Sequence, residues 1–374
     1  MRIPDSGTPK ARAGGILTID LSAVAANFRL LQARLDRTVC AAVVKADAYG
    51  LGATRVAATL REAGCRSFFV ATLDEGLTLR AELPEAEIFV LNGLVIPGAD
   101  DYVRSALKPV LNNLEEIAAW RSVAARHGAI LPAAIHLDTG MSRLGMPPAE
   151  LGRLTDEPDR LSGIGVDVVM SHLACSEDEA HPQNAIQLAA FRRAVARFRP
   201  AGARLCFANS SGVFLGPDYH FDMVRPGAAL YGINPQPGRP NPLFQVVRLQ
   251  GRILQLREID SDTPVGYGAT HRCSPPARLA TVGVGYADGY LRSLSGRGIA
   301  VAAGRRVPVV GRVSMDLLTL DVSELPQGSL RPGDLVDLIG PDNPVDDLAA
   351  QAGTIAYEIL TSLGQRYARS YIPA

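Results

Sequence analysis

Short apolar or β-branched runs alternate with amphipathic stretches as far as about residue 230. Runs at 39–44, 67–71, 87–91, 108–112, 133–138, 165–172, 204–209 and 221–224 predict strands. A helix is predicted after Asp20, with Ser22 as its cap and its end near Leu35. Further helices are predicted at 53–63, 75–82, 100–105, 114–127, from 148 onward, and at 180–199. Each strand is separated from the next by a helix or a helix-length loop, the order expected of a parallel sheet. Eight such units over roughly 210 residues suit a closed (β/α)8 TIM-type barrel. An open doubly wound sheet is the alternative.

The pattern changes at PQPGRPNP (235–242). Beyond it, short β-rich runs at 246–257, 279–284, 299–302, 307–313, 317–322 and 335–339 are punctuated by Gly and Pro. A helical stretch is predicted only at 345–363. The division expected is therefore a barrel over 16–240 and a mainly β domain over 241–374, preceded by an extension at 1–15. The strand-like run at 15–20 lies outside the barrel count and is placed with the second domain.

Composition narrows the function classes. Apolar residues make up 47% of 374, enough for a sizeable core. Basic and acidic residues balance at 38 each, and no basic run stands out, which argues against nucleic acid or an anionic membrane surface as partner. No apolar run reaches membrane-span length. The opening MRIPDSGTPKARAGG has no apolar segment of the kind a secretion signal needs. Five cysteines without CxxC spacing fit a reducing compartment. A cytoplasmic location is expected, and no metal motif is visible.

Lysine occurs only at 10, 45 and 108. Where Arg fills the other basic positions, a Lys inside an apolar run suggests a task Arg cannot perform. Lysine can lose its proton and form an imine. Reactive groups of such a barrel belong at the C-terminal ends of its strands. Lys45 ends the first strand, Arg143 follows the fifth, His172 ends the sixth, Asn209 and Ser210 the seventh, and Arg225 and Gly227 the eighth. Each has a plain alternative: a solvated loop lysine, a structural histidine, a surface arginine pair. Their coincidence on one rim favours chemistry. The loops after strands seven and eight are the usual phosphate site of this barrel. An imine-forming lysine beside a phosphate pocket suggests pyridoxal phosphate.

The segment VVKADAYGLG (43–52) resembles the cofactor-lysine segment of the alanine racemase family. DTGMSRLG (138–145), SHLA (171–174), NSSG (209–212) and RPGAALYG (225–232) follow in family order. The second domain adds VGYGATH (265–271), VGYADGYLR (284–292), GRVSMDLL (311–318) and YEIL (357–360). The resemblance spans about residues 16–371. It implies a pyridoxal-phosphate barrel with a β domain, and a head-to-tail homodimer whose active sites are shared between chains. By resemblance, Lys45 carries the cofactor and acts as one base, and Tyr267 of the partner subunit is the other. Tyr49, Ser210, Gly227 and Tyr357 hold the phosphate. Arg225 faces the pyridine nitrogen with His172 behind it, and Arg143 contacts the phenolic oxygen. Met315 of the partner subunit meets the substrate carboxylate through its backbone, and Tyr286 narrows the entrance.

Taken alone, Tyr267, Tyr286, Tyr357 and Met315 are equally readable as packing residues. Two departures from the family pattern are visible. His136 stands where many members carry a lysine whose modified form steadies the arginine. Ser314 stands where some have cysteine. The activity implied is racemisation of alanine, feeding peptidoglycan or degrading D-alanine. The alternatives are a racemase for serine or a wider range, a pyridoxal-phosphate decarboxylase of the same plan, and a non-catalytic cofactor-holding protein.

Overall fold

The computed structural model describes residues 9–374, so the first eight residues of the expected extension lie outside the described residues. The chain divides into two compact units, one of residues 24–230 with 234–243, the other of the remaining segments.

In the first unit nine parallel strand segments form one sheet. Two of them, Val39–Cys40 and Ala42–Val43, are halves of a single strand interrupted at Ala41. The first half pairs with Met223–Val224, the last strand, and the second half with Ser67–Val70, the second strand. Backbone bonds from Ala41 to Val224 and from Val44 to Phe69 continue both seams. The sheet thus closes through residues 39–43, and the eight-stranded barrel expected from the sequence is present. Between these ends run Glu87–Val90, Lys108–Leu111, Leu131–His136, Ile164–Met170 and Arg204–Cys206. Burial on both faces explains why these strands read as continuous apolar runs rather than alternating ones. Phe69 and Phe89, opposite each other in register, stack with centroids 4.7 Å apart.

The helices follow their capping chemistry. Leu114–His127 starts where the Asn113 side chain accepts from the Glu116 N–H at 2.8 Å, and it ends at Gly128 in the left-handed region. It buries Ile117, Trp120, Val123 and Ala124, one stripe at helical spacing. The helix Leu21–Gln32 corrects the expected cap. The Asp20 carboxylate, not Ser22, accepts the Ala23 N–H at 3.0 Å, and the Ser22 hydroxyl donates to the same oxygen. A carboxylate accepts more strongly than a hydroxyl, so Asp20 takes the position.

In the second unit an eight-stranded sheet is organised around the long strand Val247–Ile259, which pairs with Gly15–Asp20, Ala277–Val282 and Leu335–Ile339. Gly15–Asp20 also pairs in parallel with Ala368–Ile372, a strand the hydrophobic pattern did not reveal. Thr263–Val265 and His271–Cys273 form a separate hairpin, also unforeseen because both arms are three residues long. The single helix expected at 345–363 is two, Val345–Ala352 and Ala356–Ser362, broken where Gly353 turns left-handed.

The N-terminal ends of the barrel strands hold a charge cluster. Glu87 accepts from Lys108 and Arg204, each at 2.6 Å, and from the Ser67 hydroxyl. Lys108 also pairs with Asp167 at 2.5 Å. Burial pushes the Glu87 carboxyl up, but its three donors outweigh that and hold it below its ordinary value of 4.5. Its contribution to stability is therefore complete above that value and lost as pH falls through the depressed one. Glu87→Gln is expected to cost about 2–3 kcal/mol at neutral pH, less than a fully buried pair because the group keeps some solvent. Urea unfolding at pH 7, 5 and 3 should also show a shallower acid loss in the variant than in the parent. Equal acid slopes would mean that this cluster is not where acid acts.

Candidate active site at the barrel mouth

Lys45 leaves the first strand directly into an unusual turn. Ala46, Asp47, Ala48 and Tyr49 all have φ between 52° and 58° with ψ near 40–50°, one turn of left-handed helix built without glycine. Left-handed backbone costs L-residues about 1–2 kcal/mol each. Anchors offset that cost. The Asp47 side chain accepts from the Ala53 N–H at 2.8 Å. One oxygen of Glu75 accepts from the Ala46 N–H at 2.7 Å, the other from Ala71 at 2.7 Å and Thr72 at 3.3 Å. Glu75 is thereby a positioning residue that the sequence reading missed. Its signal was present: Thr72 and Glu75 have capping-box spacing, with Thr72 accepting from the Glu75 N–H. Starting the helix at Glu75, when it runs Leu73–Glu82, concealed that spacing.

The Lys45 amine is partly buried. That burial, then the Arg143 and Arg225 guanidinium groups, push its pKa below the usual lysine range, while Glu75 opposes them. Arg225 is almost fully buried. It donates to the Ser171 carbonyl at 2.6 Å, to the Cys206 sulfur at 3.1 Å, and approaches His172 Nδ1 at 3.4 Å. Its guanidinium carbon lies 5.6 Å from the centre of the Phe69 ring. Among the described residues no carboxylate pairs with it. His172, enclosed by protein, is pushed well below its usual range by burial and then by Arg225, so it is neutral.

Tyr49 is buried, which lifts its phenol to about 12. A Cβ on Gly227 would lie 2.4 Å from the Tyr49 hydroxyl oxygen, so this position has room only for glycine. The Ser210 oxygen accepts from the Gly227 N–H at 2.9 Å and the Ala229 N–H at 3.1 Å. With both lone pairs occupied, the Ser210 hydroxyl is left to donate. The Gly227 N–H is thus spent inside the protein, and the glycine's contribution is space.

Arg143 rides on the loop after the fifth strand. The Asp138 carboxylate accepts from the N–H groups of Gly140, Met141 and Ser142 at 2.9–3.2 Å, folding that loop back on itself. Arg143 is exposed and makes no hydrogen bond or ion pair among the described residues. His136 is not its counter-ion. Burial, then Arg225, lower His136 to about 4, and its Nδ1 lies 3.0 Å from the Asn112 amide oxygen. That oxygen can only accept, so His136 donates from Nδ1.

The remaining candidates belong to the second unit. Tyr267 is 73% exposed on the tip of the short hairpin, between two left-handed glycines. The Arg312 guanidinium packs against Gly268 beside it, a neighbour not foreseen from sequence. Tyr286 and Met315 lie on adjoining loops: Tyr286 N–H donates to the Ser314 carbonyl at 3.0 Å and Ala287 N–H to the Met315 carbonyl at 2.9 Å. Tyr357 stands half-buried on Ala356–Ser362. The structure thus collects Lys45, Tyr49, Arg143, His172, Ser210, Arg225 and Gly227 around one rim, and Tyr286 with Met315 at another place.

Residues 19–235 match the alanine racemase N-terminal domain, and residues 246–371 the alanine racemase C-terminal domain. The chain belongs to the alanine racemase family. It is 53% identical over 362 residues to an alanine racemase of Rhodospirillum rubrum, with 96% of each chain covered. It is 52% identical to a catabolic alanine racemase of Agrobacterium fabrum, covering 96% of this chain and 92% of that one. Its fold matches the crystal structure of alanine racemase from Bartonella henselae with covalently bound pyridoxal phosphate, at a TM-score of 0.92 and 43% identity. That match covers 96% of this chain and 100% of the other. Among the described residues no His, Cys, Asp or Glu group could hold a metal ion, and no helix is long and apolar enough to cross a membrane.

In this member of the alanine racemase family the left-handed turn stores strain that glycine would relieve. Ala46 is exposed, so its replacement disturbs no packing. Ala46→Gly is expected to raise the unfolding free energy by about 0.5–1 kcal/mol, relief of the left-handed penalty less the extra entropy of glycine. Urea denaturation decides: a loss of stability would mean the turn is not strained.

Proposed function

We propose that this chain is an alanine racemase that interconverts L- and D-alanine with pyridoxal phosphate carried on Lys45. The observation that carries the reading is a single lysine at the barrel mouth whose amine is kept from holding its proton tightly, next to a buried arginine without an acid partner.

The residues fit that cofactor. Ser210 presents a hydroxyl with only its proton left to give, and Gly227 leaves the space a Cβ would fill, with the Tyr49 phenol at its edge. These, with Tyr357, suit a phosphate. Arg225 would face the pyridine nitrogen, backed by His172, and Arg143 the phenolic oxygen. Bound there, pyridoxal phosphate supplies an electron-withdrawing ring conjugated to the substrate's amine, which acidifies the hydrogen on Cα.

The chain's own groups do the rest. Lys45 would hold the cofactor through its amine, and that amine is the group left to act on the substrate once substrate is bound. Its lowered proton affinity lets Nζ accept the α-proton from one face of the substrate and return it later. Tyr267 of the partner subunit serves the other face through its phenolic oxygen. Each turnover leaves one of the two with an extra proton and the other with one fewer. Proton exchange with water, or transfer between the two, restores both before the next turnover in the same direction. A guanidinium carries only N–H donors, so Arg225 offers no acceptor and would not hold the ring nitrogen in the protonated form. Negative charge is then drawn away from Cα less strongly, and the proton returns to carbon in preference to side reactions.

The homodimer with shared sites belongs to the same reading. Tyr267, Tyr286 and Met315 are 73%, 41% and 54% exposed on the second unit, a large apolar exposure that a partner would cover. The Met315 N–H donates to nothing among the described residues, leaving it free for a substrate carboxylate. Five free cysteines suit a reducing cytoplasm. Alanine fits as substrate ahead of serine or larger amino acids because both quoted relatives are named for it. Supply of D-alanine for peptidoglycan and its breakdown use the same reversible reaction.

The purified protein should be yellow and should racemise L-alanine without releasing CO₂. A yellow protein that turns over no amino acid, or one that decarboxylates, would overturn the reading. Tyr267→Ala should slow proton abstraction from one enantiomer at least tenfold more than from the other. Mixed Lys45→Ala and Tyr267→Ala proteins should recover part of the activity through heterodimers, and no recovery despite proven subunit exchange would refute the shared site. Arg225→Glu should racemise more slowly and transaminate more often, read as pyruvate formed per racemisation event. An unchanged ratio would remove the role given to Arg225.

A further inference from the structure

We propose that Arg366 is a positioning residue that sets where the Met315 N–H stands, and through it how well substrate carboxylate is held. The inference rests on the reading above, in which Met315 of the partner subunit meets that carboxylate.

Three segments far apart in sequence meet at this guanidinium. Arg366 Nε and Nη2 donate to the two oxygens of Asp288 at 2.6 and 2.9 Å, and Nη1 donates to Asp316 at 2.7 Å. Asp288 is buried and belongs to the turn that carries Tyr286, and one of its oxygens also accepts from the Gly285 N–H at 2.9 Å. Asp316 is exposed and directly follows Met315. One planar group thus spans the two loops. A forked guanidinium fixes both acids in its plane, which a lysine ammonium cannot do.

Backbone contacts already fasten the near side of the Met315 loop. The N–H groups of Tyr286 and Ala287 hold the Ser314 and Met315 carbonyls, and a Cβ on Gly285 would lie 2.4 Å from each of those oxygens. These bonds fix the Ser314 and Met315 carbonyls, and Ser314 closes the turn by donating from its N–H and hydroxyl to the Leu317 carbonyl and accepting from the Leu317 N–H. Among the described residues the Asp316 side chain is tied only by Arg366. With the tie in place, the loop is ordered before substrate arrives and the cost of ordering it is not charged to binding. The tie also neutralises an acid next to the N–H that must donate to a carboxylate. Without Arg366, Asp316 would repel the incoming anion.

Asp316→Asn removes the Met315 side of the clamp at an exposed position and leaves the bidentate Arg366–Asp288 pair in place. Arg366→Met removes both sides, and Arg366→Lys keeps one charge without the bridge. In the intact holoenzyme, Arg366→Met should raise KM for both alanine enantiomers at least tenfold, with kcat changed less than threefold and the cofactor absorbance retained. Arg366→Lys should fall between it and the parent. Amide hydrogen exchange at residues 314–317 should quicken in Asp316→Asn and Arg366→Met, a change that a role in global stability alone would not confine to this loop. Should Arg366→Met fail to fold, Asp316→Asn decides: exchange should quicken at 314–317 and KM should rise severalfold. Unchanged exchange or unchanged KM in the folded variants overturns the proposal. A parent protein that does not racemise alanine would overturn the function reading instead, and the exchange result would still show whether the clamp orders the loop.

Discussion

The barrel mouth is organised by one buried guanidinium with no acid to neutralise it. A charge in that position is costly unless paired, and among the described residues the Arg225 guanidinium meets a carbonyl, a thiol, a histidine ring and the Phe69 ring but no carboxylate. Burial first, and the Arg225 field second, keep His172 and His136 neutral, while burial, Arg143 and then Arg225 weaken the hold of Lys45 on its proton. Neutral histidines can donate without adding positive charge, and a lysine that holds its proton less tightly is better able to attack and accept. The unsettled electrostatics of the protein alone are what an anionic, nitrogen-bearing ring would complete. A carboxylate beside Arg225 would satisfy the apoprotein and leave the pocket little reason to bind anything.

That charge must be held in register with the reactive amine, and the backbone achieves this by conformations that would otherwise be avoided. The closing strand breaks at Ala41 and ends at Val43, and the chain then turns left-handed for four residues. The turn fixes Lys45 because its neighbours are over-determined: Glu75 grips the Ala46 N–H while capping its own helix, and Asp47 grips Ala53. Strain of this kind persists only where surrounding bonds insist on it. Across the mouth, the loop of Arg143 is shaped in the same way, by one carboxylate receiving three consecutive N–H groups.

Periodicity was enough to read the barrel, because parallel strands buried on both faces leave apolar runs and each is followed by a helix. The helix at 114–127 was legible to the residue since Asn113 and Gly128 mark both ends. What escaped was set by contacts distant in sequence. Ala368–Ile372 is half-buried and becomes a strand by pairing with Gly15–Asp20, more than three hundred residues away. The hairpin bearing Tyr267 has arms too short for any period. Lys108 satisfied the same rarity argument as Lys45, yet it sits in a charge cluster at the opposite ends of the strands. Composition alone left Lys10, Lys45 and Lys108 on one footing, and position along a strand is what sets Lys45, at the barrel mouth, apart from Lys108. The rim residues were legible as a set because strand ends are. Glu75 was missed although its capping-box spacing with Thr72 was present, Arg312 lies inside GRVSMDLL with nothing in the pattern to tie it to Tyr267, and Arg366 lies outside every such motif and meets its partners only in the folded chain.

The histidine at position 136 shows how one constraint can be met by different means. A modified lysine steadies an arginine by bringing negative charge to it. His136 brings none: it is neutral and turned toward Asn112. Arg143 is therefore placed by the backbone of its loop, with the Asp138 carboxylate spent on three N–H groups. An arginine fixed by backbone alone keeps its whole field for what lies in front of it, because no fixed acid competes at close range. The same field reaches Lys45 and lowers its proton affinity further. For the proposed chemistry, the absence of an acidic brace works in the needed direction at two points, leaving the Arg143 field for a ligand oxyanion and weakening the amine's hold on its proton, at the cost of a side chain without a bonded partner among the described residues. That exchange is tolerable only because the loop beneath Arg143 is itself held so closely.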